Sequence, residues 1–327
     1  MGRRRIAFFA PHMGCGRRCV YCDQNAITRD AGGCVTPEAV ADVASAQKSP
    51  VEFCFFGGSF ARVGTPRMRA FLDAVCGAPE GSAVIFSSYP GDFDGDAGIE
   101  TMRVLKDYPI ATIELGIPTL DPIVLKTCRR DDDPAAITRA VARVRDNGFH
   151  LGVQMMIGLP RQTTESVTRD ASTLASMMPA GEAWHFRLYP CLVLRGTELE
   201  SMFRRGEYEP LSLEDGIRAA GAVIFEAERL GFNVIRVGLL ESESLKKSVV
   251  AGPYHPAFGE LAMSEKRALF LISENPGGPW TIERQSLSHL TGHDGRGLRR
   301  LAELSGISER EARDRLSVLP APHTHNK

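Results

Sequence analysis

Nowhere in its 327 residues does the chain carry an uninterrupted apolar run of the roughly 18 residues that a membrane-spanning helix needs, so no membrane partner is expected. It also lacks an excess of charge of either sign. Lys and Arg number 39 against 40 Asp and Glu, a net charge of −1. A global basic field that would gather nucleic acid is therefore excluded, and any such contact must be local. Arg3, Arg4 and Arg5 open the sequence with no apolar segment behind them. No signal peptide is expected on that ground, and the expected location is cytoplasmic. The eight cysteines, in a chain of this size without a secretory signal, do not read as a disulfide scaffold. What is present is a composition 43% hydrophobic and 24% charged, which can bury a core and is not that of a disordered chain. The length suits one large α/β domain with an appendage, or two modest domains.

Three cysteines, Cys15, Cys19 and Cys22, stand as C-x-x-x-C-x-x-C. A cubane [4Fe–4S] cluster normally takes four protein thiolates. Three at this tight spacing point to a cluster with one iron left open for a small ligand, and an open iron beside S-adenosylmethionine is the starting point of radical chemistry. A zinc site would want a fourth ligand, commonly in paired C-x-x-C elements. The nearest candidates, His12 and Cys34, complete no familiar zinc spacing, and nothing pairs with Cys34 as an extra metal ligand. Cys54, Cys76, Cys128 and Cys191 lie in apolar or helical contexts and read as packing residues.

Short apolar runs alternate with helical patterns to about residue 240. The expected strands are Ile6–Ala10, Val51–Phe56, Ala83–Ser88, Ala111–Ile117, Leu151–Ile157, Trp184–Tyr189 and Val234–Val237, rich in β-branched and aromatic residues and bounded by Gly or Pro. Helices are expected after Thr36-Pro37 and Thr65-Pro66, each a cap residue followed by Pro at the first turn. Further helices are expected over Pro134–Asn147, Glu165–Met178 and Leu213–Leu230. Such alternation implies parallel pairing with crossover helices. The predicted fold is α/β, a partial or full (β/α) barrel over residues 1–262 with a small α/β appendage over 263–327. Barrel chemistry sits at the C-terminal ends of strands, and the three cysteines directly follow the first one. At the end of the second strand stand Gly57 and Gly58, where a ligand can approach the backbone closely. Alone, a Gly-Gly pair after a strand is a common turn.

The segments C-x-x-x-C-V-Y-C, F-F-G-G-S-F, I-E-L-G-I, Q-M-M-I-G-L-P, R-L-Y-P-C-L-V-L-R-G-T-E-L and G-P-Y-H-P-A-F-G-E-L resemble radical S-adenosylmethionine enzymes. More narrowly they resemble the branch related to the Elongator catalytic subunit, in a short bacterial form. The resemblance runs from about residue 5 to residue 262. It implies a [4Fe–4S] cluster on Cys15, Cys19 and Cys22, with S-adenosylmethionine as cofactor and an electron donor of flavodoxin or ferredoxin type. It places Tyr21 against the adenine, and Gly57, Gly58 and Ser59 at the methionyl amino group. Glu114 is implied at the cofactor or substrate, with an ordinary salt bridge as the alternative. Gln154 and Arg187 sit on strands lining the barrel, where a site role and structural hydrogen bonding are both open. Tyr189 reads as packing. His255, in a loop stiffened by Pro253 and Pro256, reads as a lid or as a packed turn.

The chain departs from the branch in two places. Pro118 stands where relatives carry Gln, and Tyr89-Pro90-Gly91 replaces Arg-Pro-Asp after the third strand. Both changes bear on the substrate end. About 65 residues follow the barrel motifs, too few for the acetyltransferase domain of the Elongator subunit. In this tail Gly292-His293-Asp294-Gly295 resembles the G-x-x-G loop of a KH module, which clamps a nucleic-acid backbone. Trp280–Glu283 would be the strand before it, and Arg296, Arg299 and Arg300 would supply local positive charge for RNA. An acid in the loop and no evident closing strand favour instead an ordinary turn before an amphipathic helix. Pro320–Lys327 reads as a frayed tail. The expected activity is generation of a 5′-deoxyadenosyl radical for hydrogen abstraction, on an RNA base. The alternatives are the same chemistry on a porphyrin-type small molecule, or a cluster-bearing protein that senses or binds RNA.

Overall fold

The computed structural model describes residues 3–16, 18–27, 35–130 and 132–319. Cys34 and Pro320–Lys327 lie outside the described residues. The strands are β1 (Arg4–Phe9), β2 (Val51–Phe56), β3 (Ala83–Ser88), β4 (Ile110–Gly116), β5 (His150–Ile157), β6 (His185–Pro190), β7 (Val193–Leu194), β8 (Asn233–Val237), β9 (Val249–Ala251), β10 (Trp280–Glu283) and β11 (Leu316–Leu319). Seven of them form one sheet in the order β1-β2-β3-β4-β5-β6-β8, every pairing parallel. Among the described residues β1 and β8 do not pair, so the barrel is partial and keeps an open seam. A strand covered on both faces reads as a near-continuous apolar run, which is why Val84, Ile85 and Phe86 are all buried in β3.

The crossover helices start where local chemistry allows. Thr36 accepts the Ala39 amide with Pro37 in the first turn, Asp133 does the same for Ala135 ahead of Pro134, and Ser212 accepts the Asp215 amide. Two expected helix ends differ. Gly64, not Thr65, occupies the cap position of the helix Thr65–Val75. The helix expected to reach Met178 ends at Ala175, because Met177 and Met178 turn inward onto the core and the Trp184 amide points at the Met178 sulfur, 3.1 Å away. Between sheet and helices lies a core rich in Phe, with Phe55 and Phe60 stacked at 4.7 Å. Cys54, Cys128 and Cys191 are buried as expected, whereas Cys76 is exposed at the end of its helix, its thiol 3.6 Å from the Leu72 carbonyl.

The C-terminal unit has a core of its own around Trp280, Ile282, Leu290, Leu298 and Leu301. Its two strands, β10 and β11, pair in parallel, so the closing strand not evident from the sequence exists. It is short and largely exposed, so it carries almost no apolar signal. The helix Phe258–Glu274 runs through residues 262 and 263 and joins the units. Leu261 and Ala262 pack into the barrel core, and Ala268 and Leu271 into the C-terminal one.

The candidate active site

The site begins where β1 ends. The Ala10 amide donates to the Phe56 carbonyl at 2.8 Å and the His12 amide to the Gly57 carbonyl at 2.7 Å, so the chain leaving β1 stays pinned to the end of β2. His12 adopts a left-handed conformation (φ 57°), and its Nε2 accepts the Gln24 amide at 3.0 Å. It therefore clasps both ends of the cysteine loop. Burial and the nearby Arg18 hold its pKa down, which keeps that nitrogen an acceptor. The sequence marked His12 only as a spare zinc ligand, and it serves the loop by a different route.

The loop is pressed against the Gly-Gly turn. The Ser59 amide donates to the Met13 carbonyl at 2.7 Å. A Cβ on Gly58 would fall on the Met13 carbonyl oxygen, and one on Gly14 on the Ser59 carbonyl oxygen. Glycine is required here for loop-on-loop contact, apart from any ligand. Ser59 is buried. Its hydroxyl donates to Asp92 and accepts the Tyr89 amide at 2.9 Å, so it ties the turn to the loop after β3. In that loop Asp92, two residues beyond Pro90, pairs with Arg62 at 2.6 Å. Tyr89 lies between two guanidiniums, with Arg62 and Arg130 at 4.7 and 4.6 Å from its ring centre. Its departure from Arg-Pro-Asp thus puts an aromatic ring where the branch has a cation, with cations stacked on it.

Cys15, Cys19 and Cys22 all line one cavity of 650 Å³. Arg130, whose side chain is 7% exposed, pairs with Asp132 at 2.8 Å. It donates to the Gly116 carbonyl at 2.7 Å and sets Nη1 3.7 Å from the Cys19 sulfur. Burial, with the neighbouring thiols, raises the Cys15 pKa and pushes that of Cys22 up to about 12. As thiolates the three would repel one another, so they need a cationic centre between them. No three His, Cys, Asp or Glu among the described residues converge tightly enough for a single metal ion. A cubane differs, because its thiolates bind separate irons and stand further apart. Three thiols on one wall, a guanidinium beside them and a closed backbone clasp fit such a cluster.

The same cavity is lined by Tyr21, Gly57, Gly58, Ser59, Glu114, Gln154 and Arg187. The residues expected at the cluster and the cofactor are thus brought to one chamber. Tyr21 also packs on a satellite core with Val20, Val124 and Cys128. Glu114 is 1% exposed. Both its oxygens accept from Arg187 at 2.7 Å, and Gln154 donates to one of them at 2.8 Å. The two readings left open for these residues hold together: they are hydrogen-bonded to one another and they face the cavity. Pro118 lines the cavity too, while its neighbour Thr119 turns away to bond Asp170 at 2.6 Å. His255 is not among the lining residues. Its Nδ1 accepts the Ala257 amide at 3.0 Å, as in a packed turn.

The tail arginines face acids. Arg296 pairs with Glu214 at 2.7 Å, Arg299 lies 3.9 Å from Glu309, and Arg300 pairs with Glu265 at 2.8 Å and Glu303 at 2.9 Å. Gly292–Gly295 do leave helical geometry, and His293 reaches Glu260 at 2.9 Å. The free positive charge expected there is therefore largely neutralised within the protein. Arg130, Asp92 and Arg236 are functional candidates that sequence reasoning missed. The first two come from loops distant in sequence, whereas Arg236 had a usable signal, a charged residue inside the otherwise apolar run Val234–Val237.

A partial parallel barrel with a three-cysteine loop after its first strand and a chamber at its C-terminal edge defines a radical enzyme scaffold. The chain belongs to the Radical SAM superfamily, whose profile matches residues 10–174, with the Radical SAM C-terminal domain over residues 183–268; it is a radical SAM enzyme. It is similar to the tRNA uridine(34) acetyltransferase of Methanocaldococcus infernus, 28% identical over 162 residues, covering 48% of this chain and 29% of that protein. The Methanocaldococcus jannaschii protein of the same name is 26% identical over 170 residues, covering 52% and 30%. The chain thus covers less than a third of the length of these curated relatives. The archaeal Methanocaldococcus infernus Elp3 with an N-terminal deletion shares the fold with a TM-score of 0.59 at 18% identity, over 82% of this chain and 63% of that one. The family implies a [4Fe–4S] cluster and S-adenosylmethionine.

Proposed function

We propose that the protein modifies an RNA base by hydrogen abstraction inside the barrel cavity. The observation that carries this reading is that the three cysteines, the Gly-Gly turn and the Glu114–Gln154–Arg187 group line one chamber. Bound there, the cluster and S-adenosylmethionine would supply a 5′-deoxyadenosyl radical. The protein's own residues do the rest. Cys15, Cys19 and Cys22 hold the cluster, and Arg130 offsets thiolate charge at Cys19. Gly57 and Gly58 let the methionyl end come close to backbone, and Tyr21 offers a ring face for the adenine. Arg187 and Gln154 fix the Glu114 carboxylate in a single orientation, so that it meets ribose or substrate hydroxyls without reorganising. The barrel wall shields the radical from water on the sides it covers.

The RNA substrate is supported by the tRNA-directed names of the relatives. A surface hollow of 690 Å³ beside the cysteine loop is lined by Arg18, Lys126, Arg129 and Arg130 and by Asp132 and Asp133; its excess of basic side chains suits an acidic electron donor of flavodoxin or ferredoxin type. The test is to reduce the reconstituted protein anaerobically and measure 5′-deoxyadenosine with and without tRNA. Formation stimulated by tRNA is expected. Formation indifferent to tRNA but stimulated by a porphyrinogen would move the substrate to a small molecule, and none under any condition would overturn the reading.

A further inference from the structure

Six guanidiniums line the cavity: Arg5, Arg62, Arg129, Arg130, Arg187 and Arg236. Against them stands one lining carboxylate, Glu114. Five of the six face an acid. Arg5 pairs with Glu52 at 2.9 Å, Arg62 with Asp92 at 2.6 Å, Arg129 with Glu198 at 3.4 Å, Arg130 with Asp132 at 2.8 Å and Arg187 with Glu114 at 2.7 Å. Arg236 faces none among the described residues. Its Nε donates to the Gly238 carbonyl at 3.1 Å, and its two Nη atoms have no acceptor there. Across the β6–β8 pair it stands in register with Arg187, so the titratable groups facing it are the Tyr189 hydroxyl and another guanidinium.

A half-buried cation set beside a like charge is disfavoured unless something compensates it. A residue serving only to hold Gly238 would need one donor, not a fork that presents its remaining donors to the chamber. The planar fork matches phosphate or carboxylate in two-point fashion. Leu192, Leu194, Leu239 and Leu240 line the same cavity, giving an apolar surface on which the body of such a ligand can lie. We propose that Arg236 receives an oxyanion of the substrate, a phosphate or a carboxylate, within the cavity. This rests on the reading of the cavity as the reaction chamber.

The test uses the reconstituted protein loaded with S-adenosylmethionine, titrated calorimetrically with uridine 5′-monophosphate, uridine and succinate. The wild type is expected to bind the monophosphate or succinate more tightly than uridine. Arg236→Gln should weaken that binding at least tenfold and Arg236→Lys by less, with the melting temperature of each checked. Dependence on Arg236 for the monophosphate assigns the anion to a nucleotide, and dependence for succinate assigns it to a carboxylic acid. Equal affinity in wild type and Arg236→Gln, or no anion binding by the wild type, overturns the proposal. So does loss in Arg236→Gln of the spectral change that S-adenosylmethionine induces in the cluster, because the guanidinium would then serve the cofactor's carboxylate. Absence of that spectral change in the wild type itself would strike the underlying cofactor reading instead.

Discussion

The barrel and the C-terminal unit each contain a buried Glu–Arg pair, and the two pairs do different things. Glu114 is 1% exposed and Glu265 2% exposed, and each binds one arginine through both oxygens. Glu265 joins two packed helices, Phe258–Glu274 and Leu287–Ser305, and Glu303 completes the charge around Arg300. Glu303 in turn lies 3.6 Å from Arg218, so each charge there faces an opposite one. Glu114 also accepts from Gln154, lines a cavity and has the unmatched Arg236 in register with its partner. A buried ion pair is thus no sign of function in itself. The void beside it, and the charge left uncompensated around that void, separate a site from a strut.

The sharpest way to break this comparison is at the cysteines. Cys19→Ser should reduce bound iron and 5′-deoxyadenosine to background while the fold persists, read by iron assay and circular dichroism; retained cluster would remove Cys19 from the site. Next is Gly58→Ala, whose Cβ meets the Met13 carbonyl. Overpacking of this kind costs about 1–3 kcal/mol, and the displaced cysteine loop should lower cluster occupancy as well. A stability loss without loss of iron would uncouple the turn from the loop.

Glu114→Ala and Glu265→Ala test the two pairs directly. Glu114→Ala strands the buried Arg187 guanidinium, at about 3–5 kcal/mol, whereas Glu265→Ala leaves Arg300 paired with Glu303 at 2.9 Å and should cost less, both measurable by denaturant unfolding. Only Glu114→Ala should also weaken binding of S-adenosylmethionine or substrate; an equal loss in both variants would erase the distinction drawn between the units. The smallest effect is expected at Arg296→Ala. Its pair with Glu214 is near the surface, worth about 0–1 kcal/mol, and with its charge already matched RNA affinity should change little. A clear fall in RNA affinity would return the Gly292–Gly295 loop to the RNA-binding reading.

The barrel was largely legible because its strands are buried on both faces. Val51–Phe56 and Ala83–Ser88 need no correction, and the other expected strands shift at their ends by one or two residues. The cysteine loop and the Gly-Gly turn were legible because their chemistry is local. The short antiparallel pair β7–β9 was not, since strands of two and three residues have no period to read. The closing strand β11 failed for a related reason, its side chains being mostly exposed. Arg130 reaches Cys19 across 111 positions of sequence, and Asp92 lies beyond a Pro-Gly that breaks the expected pattern. Such contacts are made by the fold and are invisible in spacing. The expected positive charge at Arg296, Arg299 and Arg300 erred in the opposite sense, since composition could not reveal that Glu214, Glu309, Glu265 and Glu303 would meet them.

Cys15, Cys19 and Cys22 would carry a cluster open to S-adenosylmethionine in the chamber shared with Glu114. Electron paramagnetic resonance of the anaerobically reconstituted, reduced protein, recorded with and without S-adenosylmethionine, tests this assignment most directly. A [4Fe–4S]⁺ signal whose shape changes on addition of the cofactor is expected. A cluster signal indifferent to S-adenosylmethionine, or no cluster signal at all, would contradict it.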